Sequence, residues 1–181
     1  MHGSVLHGFK QFVVARDGKD AWEAIVQAAG ARGWYYSTEV YTDEEMGALV
    51  HATAAREARP VAQLLEDFGA ALVPTLLQLY GSFVAPGWRT LDLLLNTERV
   101  IHRAIRISDP TASPPQLKPR RVSDEEVHIE YTSARRLCAV AVGICQGVAA
   151  HYGEHIVIEQ PRCMLRGGAT CLLVVRLMPP M

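Results

Sequence analysis

The sequence predicts an α+β protein, and three observations carry the prediction. Apolar residues recur at helical spacing as far as Ser108. A proline-rich stretch, DPTASPPQLKPRR, then interrupts the pattern. After it come β-branched runs with the alternation of strands. The expected architecture is a helical N-terminal subdomain, about residues 1–60, and a C-terminal subdomain, about 61–181. The second would hold a small antiparallel sheet of about four strands with helices across it.

Residues 4–15 place Val5, Phe9 and Phe12/Val13 on one side of a short helix ended by Asp17-Gly18. A second helix runs from about Asp20 to Ala29, with Trp22, Ile25 and Val26 at helical spacing and Gly30 as its stop. Thr42, three residues before Glu45, is a capping-box signature opening the next helix. Another starts at Pro60 and carries Pro74 inside it, which predicts a kink or a break. GSFVAPGW is a loop, and from Thr90 to Ser108 the text is helical, with Leu91, Leu95, His102 and Ile105 down one stripe.

The proline-rich stretch is extended and marks the clearest internal boundary. Val127 to Tyr131 alternates as a strand, and Ala134 to about Ala150 reads as an apolar helix. HIVIEQ and TCLLVVRL are strands joined by a hairpin with a Gly167-Gly168 turn. Trp22, Trp34 and Trp88 read as core or subdomain-contact residues, and His2, His7, His51 and His128 as solvated or capping ones.

A net charge of −1 supplies no basic field for nucleic acid or acidic membranes. The N-terminus lacks the features of a signal peptide, the longest apolar run is too short for a bilayer, and four unevenly spaced cysteines do not form a secreted disulfide framework. A cytoplasmic protein is expected. No nucleophile–base pair, phosphate-cradling glycine loop or paired carboxylates stand out, so an enzyme is not expected.

Two features point to a ligand. Tyr131, Ser133 and Arg135 alternate where a strand gives way to a helix. Two hydroxyls and a guanidinium suit carboxylates or phosphates, with strand and cap chemistry as the ordinary alternative. If the strand reaches Ser133, it and Tyr131 share a face, and Arg135 lies in the first helical turn. His102 sits among Leu91, Leu94, Leu95, Ile101 and Ile105. A buried imidazole needs hydrogen-bond partners or a metal. It is either a core histidine bonded to a carbonyl or an iron ligand presented into an apolar cavity.

The ordered set of MHGSVLHGF, His102, the Pro114-Pro115 pair and the Y-x-S-x-R run YTSAR resembles the haem nitric oxide/oxygen-binding (H-NOX) domains, related to the sensor domain of soluble guanylate cyclase. The resemblance covers nearly the whole chain. It implies haem b buried between the two subdomains, with His102 as the proximal iron ligand. Tyr131, Ser133 and Arg135 would hold the propionates, and Pro115 would press on a bent macrocycle. Oxygen-binding members carry a distal tyrosine where this chain has Val140. The neighbouring distal places are Val5, Phe9, Leu72 and Ile144, with Ala141 beside them, and none donates a hydrogen bond from its side chain. A nitric oxide sensor that also takes carbon monoxide but excludes oxygen is therefore expected. The aliphatic distal side argues against a peroxidase. In the family, nitric oxide weakens the bond to the proximal histidine and the helix shifts. The output passes to a separate protein, commonly a histidine kinase or a diguanylate cyclase.

Some relatives bind zinc through three cysteines at places like Cys138, Cys163 and Cys171, plus a histidine where this chain has Gln160. His155, His151 or Cys145 would be the substitutes. Reduced thiols packed as small hydrophobes, or a reversible thiol–disulfide pair, are the alternatives.

Overall fold

The structure is a computed structural model and describes residues 1–110 and 112–179. The chain divides into two compact units, Met1–Phe68 and Gly69–Met181.

The first unit contains α1 (Gly3–Asp17), α2 (Lys19–Ala29), α3 (Asp43–Arg56) and the opening turns of α4 (Val61–Tyr80). Each helix begins and ends where local chemistry directs. Thr42 Oγ1 accepts the Glu45 N–H at 3.1 Å, and Gly30 closes α2 in the left-handed conformation. Leu6, Phe9, Val13, Trp22, Ile25, Leu49, Leu64 and Phe68 form the core. Phe9 meets Phe68 edge to face at 5.1 Å. Trp34 departs from the expectation of a core residue: it is 55% exposed and meets its exposed neighbour Tyr36 edge to face.

In the second unit, α4 runs unbroken through Pro74. Proline has no N–H for the carbonyl of Ala70, four residues back. That carbonyl lies where α7 (Cys138–His151) crosses. A Cβ on Gly147 would come within 2.7 Å of it, and a Cβ on Gly69 would collide with the carbonyl of Val140. Two glycines thus let the backbones of α4 and α7 touch, and the kinking residue is accommodated at their contact.

A 3₁₀ turn (Gly81–Phe83) leads to α5 (Thr90–Asn96), a π-helical turn (Thr97–His102) and α6 (Arg103–Ser108). The helix expected from Thr90 to Ser108 therefore exists, with one wide turn inside it. β1 (Gln116–Arg121), β2 (Glu126–Thr132), β3 (Ile156–Arg162) and β4 (Cys171–Leu177) form an antiparallel sheet in the order β1-β2-β4-β3.

β1 falls within the proline-rich stretch, of which Thr111 lies outside the described residues. From Gln116 the stretch is extended as expected, but there it supplies an edge strand inside the second unit rather than a boundary. Pro119 is tolerated because an edge strand can leave one side unpaired. β2 alternates strictly, turning Val127, Ile129 and Tyr131 inward. Leu91 and Leu94 of α5, Cys145 of α7, and Leu173 and Val175 of β4 pack against Val127 and Ile129. Each such fully buried aliphatic side chain contributes about 1.5–3 kcal/mol.

Candidate functional site

His102 closes the π turn, a distortion that recurs at functional sites. Its side chain is 13% exposed, and Nδ1 lies 3.0 Å from Glu98 Oε2. Glu98 also accepts from the Arg106 guanidinium at 2.8 Å and from the Leu117 backbone N–H at 3.0 Å. Burial pushes the Glu98 carboxyl up, but the bonds from Arg106, His102 and Leu117 outweigh it and hold it below the ordinary range. Burial pushes the His102 pKa down, opposed by Glu98 and by the Pro115 carbonyl, and the net shift is downward. The ring is thus neutral near pH 7. With an ionised acceptor at Nδ1, the ring proton sits there and Nε2 keeps a lone pair that could hold a metal.

The Y-x-S-x-R stretch is arranged differently from expectation in one respect. β2 ends at Thr132 and α7 begins only at Cys138, so Ser133 and Arg135 lie in a turn rather than on a strand face or in a first helical turn. Ser133 Oγ accepts the Arg135 N–H at 3.2 Å, its carbonyl accepts the Arg136 N–H, and Arg136 takes a positive φ of 52°. That left-handed residue reverses the chain before the helix can start.

The Tyr131 and Ser133 side chains nonetheless meet, while the Arg135 side chain reaches the segment before β1. Tyr131 is buried; burial raises its pKa to about 12, opposed by the neighbouring Ser133 hydroxyl and helped by Cys138 and Cys171. Arg135 Nη1 donates to the Ser113 carbonyl at 2.8 Å. Arg106 Nη2 reaches the Pro115 carbonyl at 3.5 Å, and Leu117 bonds Glu98. The segment from Ser113 to Leu117 therefore ties the histidine's network to the Tyr131/Ser133/Arg135 turn. One neutral imidazole and a cluster of hydroxyl and guanidinium donors match the needs of iron and of a porphyrin's carboxylates.

Among the expected gas-facing residues, Val5 and Phe9 lie in the first unit. Leu72 is half-buried on α4, and Val140 and Ile144 are half-buried on α7. The α4–α7 contact at Gly69 falls at Val140 and Ile144.

The cysteines divide. Cys145 packs in the sheet core, and burial pushes its thiol up to about 12. Cys138, Cys163 and Cys171 are buried together, with all three Sγ atoms within 4.8 Å of one another. Among the described residues no fourth His, Cys, Asp or Glu joins them, so Cys145, His151 and His155 are not the substitute ligand in this arrangement.

Burial raises the thiols of Cys138, to about 12, and Cys171. It also pushes Cys163 up, but the backbone N–H groups of Leu165 and Arg166 and the two other thiols outweigh it, leaving Cys163 lowered. Met164 N–H donates to Cys171 Sγ at 3.3 Å. Backbone donors aimed at two sulfurs in a cluster of three fit thiolate ligation of a soft metal. Gln160, where a histidine was sought, has its Nε2 buried without a partner.

Sequence reasoning missed Glu98 and Arg106. Their signal was present: Glu98, His102 and Arg106 recur every four residues.

Residues 2–160 match the protein family described as Haem-NO-binding. Comparison with curated proteins gives no match. Among solved structures, the chain is similar to an H-NOX protein from Shewanella oneidensis in the Fe(II)NO ligation state. That likeness has 25% identity and a TM-score of 0.91, covering 99% of this chain and 100% of the other. It is also similar to an unliganded Fe(II) H-NOX protein from K. algicida, at 18% identity and a TM-score of 0.87, covering 100% and 98%. A point mutant of the T. tengcongensis H-NOX follows at 19% identity and 0.87, covering 100% of both chains. The last two likenesses speak to fold alone. With its helices, its four-stranded sheet and this match across most of its length, the chain belongs to the Haem-NO-binding, or H-NOX, family, whose fold is that of haem-based gas sensors.

Proposed function

We propose that this protein is a cytoplasmic, non-enzymatic sensor that binds nitric oxide, and more weakly carbon monoxide, at ferrous haem b. The haem would supply an iron with an open sixth position for a diatomic gas. His102 would hold the iron through Nε2, while Tyr131, Ser133 and Arg135 would hold the propionates and Pro115 would bear on the ring. The resemblance assigns the gas-facing side to Val5, Phe9, Leu72, Val140 and Ile144. None carries a side-chain donor, so bound oxygen finds no stabilising hydrogen bond. The signal passes to a separate protein, a histidine kinase or a diguanylate cyclase, by a change in relative affinity between two states.

The observation that carries this reading is the Ser113–Leu117 segment joining the Glu98–His102–Arg106 network to Arg135. Two ligand-type groups thirty residues apart are thereby held as one assembly. The test is an absorption spectrum of the reduced protein before and after nitric oxide, repeated with His102→Gly. A Soret band that shifts with the gas, and a changed spectrum or weakened haem retention in the variant, is expected. A colourless protein offered hemin, or a variant identical to wild type, would refute it.

The three-cysteine cluster favours a second component, a zinc ion held by Cys138, Cys163 and Cys171 with its fourth ligand supplied by water or another molecule. The alternative to the haem reading is a haem-free module of the same fold that binds another ligand or senses redox state through this cluster. Absence of the Soret band with zinc present would select it.

A further inference from the structure

We infer that Glu98 is a positioning residue that sets the strength of the bond between His102 and iron, an inference that rests on the haem reading above. A carboxylate hydrogen-bonded to the far nitrogen of a metal-ligating imidazole fixes the ring's tautomer and orientation and raises its basicity. Glu98 is built for that task. Arg106 anchors Oε1 at 2.8 Å and the Leu117 N–H anchors Oε2 at 3.0 Å, so the carboxylate cannot swing away from the ring. Oε2 then faces His102 Nδ1 at 3.0 Å.

Two donors other than the ring already engage both oxygens. The shared hydrogen therefore belongs to Nδ1, and electron density flows toward Nε2. The anchors come from two elements: Arg106 lies on the histidine's own helix, whereas Leu117 is on the sheet's edge strand. Movement of His102 away from the anchored carboxylate must break the Nδ1–Oε2 bond, and movement of the whole helix must break the bond from Leu117 to Glu98. With haem bound, Glu98 would thus oppose release of His102 from the iron and would bias the protein toward the state in which the histidine stays bound.

The test compares the wild-type protein with Glu98→Gln, which keeps the shape, and Glu98→Ala, which removes the contact. Resonance Raman spectra of the ferrous proteins report the iron–histidine stretch directly. The expected result is a lower frequency in both variants, a larger five-coordinate fraction with nitric oxide, and haem loss about 10-fold faster or more. Circular dichroism should be unchanged, so a purely structural role would leave the stretch where it was. A stretch unchanged in either haem-loaded variant overturns the inference. Imidazole ¹⁵N spectra of the wild-type chain without added haem provide an independent reading. The proton should sit on Nδ1 of His102, and a proton on Nε2 overturns the inference. A wild-type protein that takes up no haem refutes the sensor reading itself, which is a different outcome from an insensitive stretch.

Discussion

Cys138 Sγ lies 3.6 Å from Cys163 Sγ. That is far outside the roughly 2.0 Å of a disulfide, and close to the roughly 3.8 Å separating two thiolates on one tetrahedral zinc with bonds of about 2.3 Å. Protein purified without a histidine tag should therefore carry about one zinc per chain. Cys163→Ser should lower that content about 10-fold or more. Elemental analysis decides it, and a metal-free protein whose melting temperature ignores added zinc would sink the assignment.

Val140 stands in the first turn of α7, at the position to which the resemblance assigns the distal tyrosine of oxygen-binding members. The ferrous wild type exposed to air should show no persistent oxygen complex. Val140→Tyr, which adds a phenolic donor, should slow oxygen release; one good hydrogen bond of about 1–1.5 kcal/mol corresponds to roughly 5–10-fold. Stopped-flow absorbance measures it, and a wild type that holds oxygen through a spectrum would overturn the selectivity argument.

Gly147 meets Ala70 and Val73 where α4 and α7 cross, with no room for a methyl group. Gly147→Ala gains helix propensity but must separate the two backbones. The overpacking cost of about 1–3 kcal/mol should exceed the roughly 1 kcal/mol gain. Urea unfolding is the measurement, and a stabilised variant would show that the helices part freely.

Glu154 caps α5 from a distance. Its Oε2 accepts the Thr90 N–H at 3.1 Å, and Oε1 accepts from Arg89 Nε at 2.6 Å. Burial pushes its pKa up, but the bonds from Thr90 and Arg89 outweigh this and hold it low. A depressed folded pKa contributes stability above the unfolded value, about 4.3, and that stability is lost as pH falls through the folded value. Glu154→Gln should therefore cost about 1 kcal/mol at pH 7, mostly as a lost cap, since the exposed Arg89 is largely screened. The gap between wild type and variant should close below about pH 4. A gap constant from pH 7 to 3 would contradict the account.

Much of the architecture could be read from spacing. The stripe of α5, the alternation of β2 and the stops at Gly18 and Gly30 are local signals, and they appear where the periodicity puts them. What could not be read depends on contacts between distant residues or on rare backbone states. The left-handed Arg136 delays α7 by four residues beyond Ala134, because nothing in arginine's preferences announces a positive φ. Pro119 disguised β1, since a proline inside a strand is acceptable only once the strand is known to lie at an edge. The cysteines carried a recognisable spacing, but the separation of Cys145 from the other three is decided by which of two packing clusters each thiol joins.

The wide turn at Thr97–His102 makes the aim of the imidazole a matter of counting rather than of residue type. Such a turn holds one residue more than an ordinary helical turn, and each residue advances the direction by about 100°. Ahead of the turn, Leu91 and Leu94 are committed to the sheet; beyond it, Arg106 is committed to its carboxylate partner. Regularising the turn with all its residues kept would satisfy every local preference. It would also leave the leucines and the ring about a quarter-turn out of phase, so that a smoother helix became a blind one.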